Sequence, residues 1–204
     1  MITDKITDLS ISKALSPLSE LSDNYQNSKI PISSEFSINE KLFLGKIALF
    51  GNEDLFFKKI SNKLNIALPT SPNTTTNNDK ITALWLSQKE WLISMNSSID
   101  IEEVKSLQNE ISDIHALAID VSDRWTTINV SGNKAIDVLS KGTSIDLDNS
   151  VFGTGACAQT TLWSVNVIIY KIDEKPTFDL FVDSTMAKFL WQWLEHSSKE
   201  YVYE

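Results

Sequence analysis

A chain of 204 residues, 42% hydrophobic and carrying six tryptophans, is long enough to bury a core as one large domain or two small ones. Its net charge of −9 repels phosphate backbones and anionic headgroups, which argues against nucleic acid and membrane surfaces as partners. With one cysteine, Cys157, no start resembling a signal peptide over Met1 to Leu21, and no run near the roughly 20 apolar residues of a membrane span, the expected location is cytoplasmic.

Residues 1–40 are Ser-rich, carry Pro17 and Pro31, and read as an N-terminal arm that is either partly extended or disordered. Ile11, Leu15 and Leu18 allow a helical turn or two, and the alternation of Ile30, Ile32, Phe36 and Ile38 suits an added strand. Lys46 to Phe50 reads as a strand ended by Gly51, after which Asn52 is the expected cap of a helix with Leu55, Phe56, Ile60 and Leu64 on its apolar stripe. Pro69 and Pro72 break the chain, and 73–79 reads as a polar loop. Ile81 to Leu86 and Trp91 to Met95 form a hairpin, followed by a helix capped at Ser98 with Val104, Leu107 and Ile111 inward.

The stretch Ala118 to Gly132 reads as strand, turn and strand, and holds the only arginine, Arg124. Asn133 is the expected cap of a short helix bearing Ala135, Ile136 and Leu139, stopped at Lys141-Gly142 by a glycine able to take positive φ. Ala158 to Trp163 and Val165 to Tyr170 form a second hairpin, and Phe178 to Val182 a further strand. The last helix is expected from Asp183 or Ser184, with Met186, Leu190, Trp193 and Leu194 on its inner side and Phe189 and Trp191 pointing elsewhere. The strings Ile47 to Asn52 and Ile128 to Asn133 rhyme, and the same order of elements follows each. That predicts an α+β fold of two duplicated β-α-β-β-α lobes sharing one core: a single domain over 41–204, with lobes at about 41–114 and 115–204.

No catalytic constellation is visible. Cys157, His115 and His196 are too few and too scattered for a zinc site, and Cys157 has no local base or positive field to make it a nucleophile. Gly153-Thr154-Gly155 lacks the Lys-Ser/Thr and the following helix of a phosphate loop. Asp120, Asp123 and Arg124, with Trp125 beside them, are the polar cluster of interest. They suit a carboxylate set holding an amine or a folate-like ring, or else a clamp or interface built on the Arg fork. Leu84-Trp85-Leu86 and the all-round apolar run Phe189 to Leu194, with Trp191 in it, imply burial on two sides, by a thick core or by a permanent partner.

Several strings, in order, resemble one family. They are Leu68-Pro69 with Pro72-Asn73-Thr74, Leu84 to Leu92, Asp120 to Thr127 with Ser131-Gly132, Val138 to Gly142, Gly155 to Thr160, and Phe178 with Phe189 to Leu194. Together they are similar to the gamma subunit of heterotetrameric sarcosine oxidase over roughly 40–197. The family commonly has a Gly-Pro-Asp turn where this chain has Ser87-Gln88-Lys89. The resemblance implies an aminomethyltransferase-like, folate-binding-type fold and an accessory subunit without a catalytic residue, cofactor-binding residue or metal ligand of its own. The implied complex demethylates sarcosine to glycine, passes the one-carbon unit to tetrahydrofolate and releases hydrogen peroxide. The implied partners are its alpha, beta and delta subunits, which carry FAD, FMN, NAD, zinc and tetrahydrofolate. Asp120, Asp123, Arg124, Trp125 and Trp191 are then expected at a subunit interface or in a structural clamp. The alternatives are the related N-methylglutamate dehydrogenase complex and a stand-alone folate-binding aminomethyltransferase-like protein.

Overall fold

The computed structural model describes residues 15–21 and 35–202. The first repeat consists of β1 (Ser37–Lys41), β2 (Lys46–Phe50), α1 (Asp54–Leu64), β3 (Thr75–Asn77), β4 (Ile81–Ser87), β5 (Glu90–Met95) and α2 (Ile101–Glu110). The second consists of β6 (Leu117–Asp120), β7 (Trp125–Ser131), α3 (Ala135–Ser140), β8 (Cys157–Leu162), β9 (Val165–Lys171), β10 (Thr177–Asp183) and α4 (Ala187–Val202). Two five-stranded antiparallel sheets result, ordered β3-β4-β5-β2-β6 and β8-β9-β10-β7-β1. Strand for strand the orders match, so the duplication read in the sequence is present in the topology.

The opening strand of each repeat crosses over. β1 pairs with β7, Ser37 opposite Ser131, and β6 pairs with β2, Ile47 opposite Asp120. Residues 117–120 therefore complete the sheet of the first repeat, and 37–41 that of the second. Gly132 is required at this crossing: its φ is +114°, and a Cβ there would lie 2.5 Å from Glu35 O. Alternate residues of each strand face opposite ways, and each sheet is covered on both faces. Helices α1 and α2 cover Ile47, Leu49, Ala83, Trp91 and Ile93, while α3 and α4 cover Ile128, Val130, Ile169, Phe178 and Leu180. Between the sheets, Leu84, Leu86 and Leu92 meet Cys157, Ile168, Tyr170 and Phe181. This inter-sheet layer explains why Leu84-Trp85-Leu86 is apolar throughout: Trp85 packs under the helices and its neighbours face the other sheet.

Several local expectations are corrected. Glu53, not Asn52, precedes α1, without a side-chain cap. Asp100, not Ser98, caps α2 in a reciprocal box with Glu103, so the helix starts two residues later than a Ser98 cap would place it. Asn133 lies before the Lys134 cap position of α3 and donates to Glu35 Oε1 at 3.2 Å. The loop at 73–79 contains β3, which pairs with β4. Gly142 is not at positive φ; a Cβ there would meet the Trp193 ring at 2.6 Å, so the glycine serves close approach. Trp163 is at the tip of the β8–β9 hairpin with φ +58°. The last helix starts at Ala187, because the Asp183 carboxylate holds Thr185 N at 3.0 Å and delays helix entry. The inner stripe is Ala187, Leu190, Trp191 and Leu194, with Trp193 packed half-buried beside it as expected, whereas Trp191 is buried and Met186 is exposed, against expectation. Of the proposed arm, Leu18 and Phe36 are buried against the second repeat and Ile38 lies in β1; Ile11, Ile30 and Ile32 fall outside the described residues. No described helix is long and apolar enough to cross a membrane.

Candidate functional site

Because the opening strands cross, the two connections that follow them, 42–45 and 121–124, run side by side. Hydrogen bonds fix them there. Lys46 N donates to Ser122 Oγ at 2.9 Å, and Val121 N to Lys46 O at 2.9 Å. Ser122 N and Oγ both donate to Asp120 Oδ1, at 2.9 and 2.6 Å. On the far side, Ser184 N donates to Arg124 O at 2.8 Å and Ser184 Oγ to Asp123 O at 2.8 Å. The turn at 121–124 is thus anchored to the end of β10 as well as the start of β2.

A cavity of about 480 Å³ opens between these connections, lined by Glu40, Lys46, Asp120, Asp123, Trp125 and Thr127 among others. Lys46 is 2% exposed and donates from Nζ to Leu44 O at 3.0 Å. Burial pushes its ammonium down to about 8, against the opposing pull of Glu40, Asp120 and Asp123. Burial raises the carboxyl of Glu40, offset by its hydrogen bond from Ser16 and by the charge of Lys46. No ion pair joins Lys46 to a carboxylate among the described residues. Lys41, which also lines the cavity, is engaged by Asp179 at 2.6 Å, and Asn129 donates to the other oxygen of that carboxylate at 2.7 Å.

A second recess, of about 550 Å³, runs between the sheets and is walled by Phe50, Leu92, Ile119, Trp125 and Ile168 with Arg124 at its edge. The Arg124 guanidinium stacks on Trp125 at 5.0 Å, and its Nε is 4.0 Å from Asp183 Oδ2. Of the residues singled out in the sequence, Asp120, Asp123 and Trp125 come together on the first cavity. Arg124 and Trp125 border the second, and Trp191 stands apart on the buried face of α4, in the core of the second repeat. Glu40, Lys46 and Thr127 were missed. The signal for Lys46 was available: in Lys46-Ile47-Ala48-Leu49-Phe50 the lysine shares a face with Ala48 and Phe50, a position that the second sheet covers. Cys157 is buried, its Sγ is 3.4 Å from Thr74 O, and desolvation pushes its thiol up to about 11. Among the described residues no three His, Cys, Asp or Glu side chains group to hold a metal ion.

The fold is shared with solved structures. It matches a chain of the heterotetrameric sarcosine oxidase from Corynebacterium sp. U-96 in complex with pyrrole 2-carboxylate, with a TM-score of 0.85 at 17% identity, covering 94% of this chain and 97% of that one. It matches the glycine cleavage system aminomethyltransferase T from Bartonella henselae with a TM-score of 0.62 at 12% identity, covering 87% of this chain and 56% of that one. An aminomethyltransferase of Saccharopolyspora erythraea is 27% identical over 123 residues, 60% of this chain; the match spans only 34% of that protein's length. Residues 52–200, well over half of the chain, match the sarcosine oxidase, gamma subunit family, and the chain belongs to that family.

Proposed function

We propose that this chain is the accessory, non-catalytic gamma subunit of a heterotetrameric sarcosine oxidase complex. The observation that carries the reading is the full-length likeness to a chain of such a complex, covering 94% of one and 97% of the other, joined to family membership over residues 52–200. In this reading the partners are the alpha, beta and delta subunits. They hold FAD, FMN, NAD, zinc and tetrahydrofolate, and the assembly converts sarcosine to glycine with one-carbon transfer and hydrogen peroxide release. The exposed apolar residues Leu117 and Ile119 on the edge strand β6, beside Arg124 and Trp125, offer a subunit-contact surface. Trp191 is assigned a structural role, since it is buried on the inner face of α4.

The test is omission. The neighbouring genes are co-expressed with and without this chain, and the assembly and flavin content of the large subunits are measured. The reading expects the large subunits to assemble or persist poorly without it. Unchanged assembly and turnover in its absence would overturn it. Adding sarcosine or N-methylglutamate to the intact complex and following flavin bleaching then separates the sarcosine oxidase from the N-methylglutamate dehydrogenase alternative.

A further inference from the structure

The cavity at the strand exchange holds unused polar capacity of both signs. Thr127 is fully buried and lines the cavity, and its Oγ1 has no hydrogen-bond partner among the described residues. The same is true of Oε2 of Glu40, whose Oε1 takes the hydroxyl of Ser16. Lys46, almost fully buried, gives one hydrogen bond to Leu44 O and has two ammonium protons left. A buried polar atom without a partner costs about 1–3 kcal/mol, so folded proteins leave few of them, and those few call for a reason. Here two such atoms, and a buried ammonium that uses one of its three protons, border one space of about 480 Å³, within the range of small-molecule sites.

The arrangement of charge selects the ligand. The donors, Lys46 and Thr127, and the acceptors, Glu40, Asp120 and Asp123, line the same cavity without ion-pairing to each other. A simple anion would satisfy Lys46 but face three carboxylates. A simple cation would satisfy the carboxylates but leave the buried ammonium opposed. A molecule carrying both charges a few bonds apart satisfies both sets. We propose that this cavity binds a small zwitterionic amino acid, its carboxylate on Lys46 and Thr127 and its ammonium toward Glu40, Asp120 and Asp123. Trp125 provides an aromatic wall for the ligand's alkyl groups. The proposal stands on the cavity alone and holds for the chain inside or outside an assembly.

Isothermal titration of the purified full-length chain tests it, with glycine and sarcosine as zwitterions and acetate and methylammonium as single-charge controls. The expected result is saturable one-site binding of a zwitterion, with both controls at least about tenfold weaker. Lys46→Met is expected to weaken that binding by about tenfold or more, and Thr127→Val, which keeps the side-chain shape, by several-fold. Thermal melts establish that both variants are folded. Absence of zwitterion binding at about 10 mM would overturn the proposal. So would methylammonium or acetate binding as tightly as the zwitterion, or a folded Lys46→Met chain that keeps full affinity. Because binding is read on the isolated chain and assembly on co-expressed subunits, failure of one is distinct from failure of the other.

Discussion

Lys46→Met should stabilise the isolated chain, and the size of the gain should depend on pH in a defined way. Burial lowers the Lys46 ammonium from the ordinary 10.5 to about 8, a difference worth about 3 kcal/mol against folding wherever the lysine is charged in both states. Methionine has a similar length and no charge to desolvate. It forfeits the hydrogen bond to Leu44 O, worth about 1 kcal/mol, so the net gain at pH 7 is about 2 kcal/mol. The unfolded chain keeps this proton up to 10.5 while the folded chain releases it near 8. Stability of the wild type therefore rises between those values, and the advantage of Lys46→Met shrinks over the same window and is gone above it. Cys157 acts with the opposite sign: its thiol is raised from 9.0 to about 11, so the stability it contributes below 9 is lost as pH rises through 11. The quantity to read is accordingly the difference between variant and wild type, from urea unfolding at pH 7, 8.5 and about 10. A variant less stable than wild type at pH 7, or a difference that does not change with pH, would refute the buried-ammonium argument.

Further substitutions probe other parts of the frame. Asn149→Ala removes the side-chain acceptor of the fully buried Lys171 ammonium, which otherwise sits over the Phe178 ring, and should cost about 1–3 kcal/mol in urea unfolding. Gly132→Ala combines a φ of +114° with a clash against the backbone of Glu35 at the strand exchange, and should cost at least about 2 kcal/mol; an unchanged melting temperature would mean that β1 is not held there. Arg124→Ala removes an exposed side chain whose nearest carboxylate contact is 4.0 Å away, so isolated-chain stability should change by less than about 1 kcal/mol. Its effect is expected in co-purification with the large subunits, with the flavin chemistry of any assembled complex unaltered.

The repeat was legible because local chemistry repeats with it. Gly51-Asn52 and Gly132-Asn133 each close an apolar strand ahead of a helix, and the element order after them is the same. The exchange of β1 and β6 was not legible, since nothing within Ser37–Lys41 or Leu117–Asp120 encodes which strand it will meet; the pairing is set by the closed tertiary arrangement. Phase errors have local causes. Asp100 wins over Ser98 because it can reciprocate with Glu103, and α4 turns Trp191 fully inward while Trp193 packs half-buried at the margin of the same core. At the candidate site the sequence pointed to the second repeat's half, Asp120, Asp123 and Trp125. The other half, Glu40 and Lys46, comes from the strand that crosses over and from its neighbour, and becomes visible only when the two connections lie side by side.

Membership of the family rests on residues 52–200, and the central claim built on it is that this chain works as a subunit. The most direct measurement is a tagged pull-down of the chain co-expressed with its genomic neighbours, reading the masses and the visible absorbance of the eluate. The account predicts a yellow eluate containing two larger chains and one small chain besides this one. A colourless eluate holding the 22.9 kDa chain alone would contradict it.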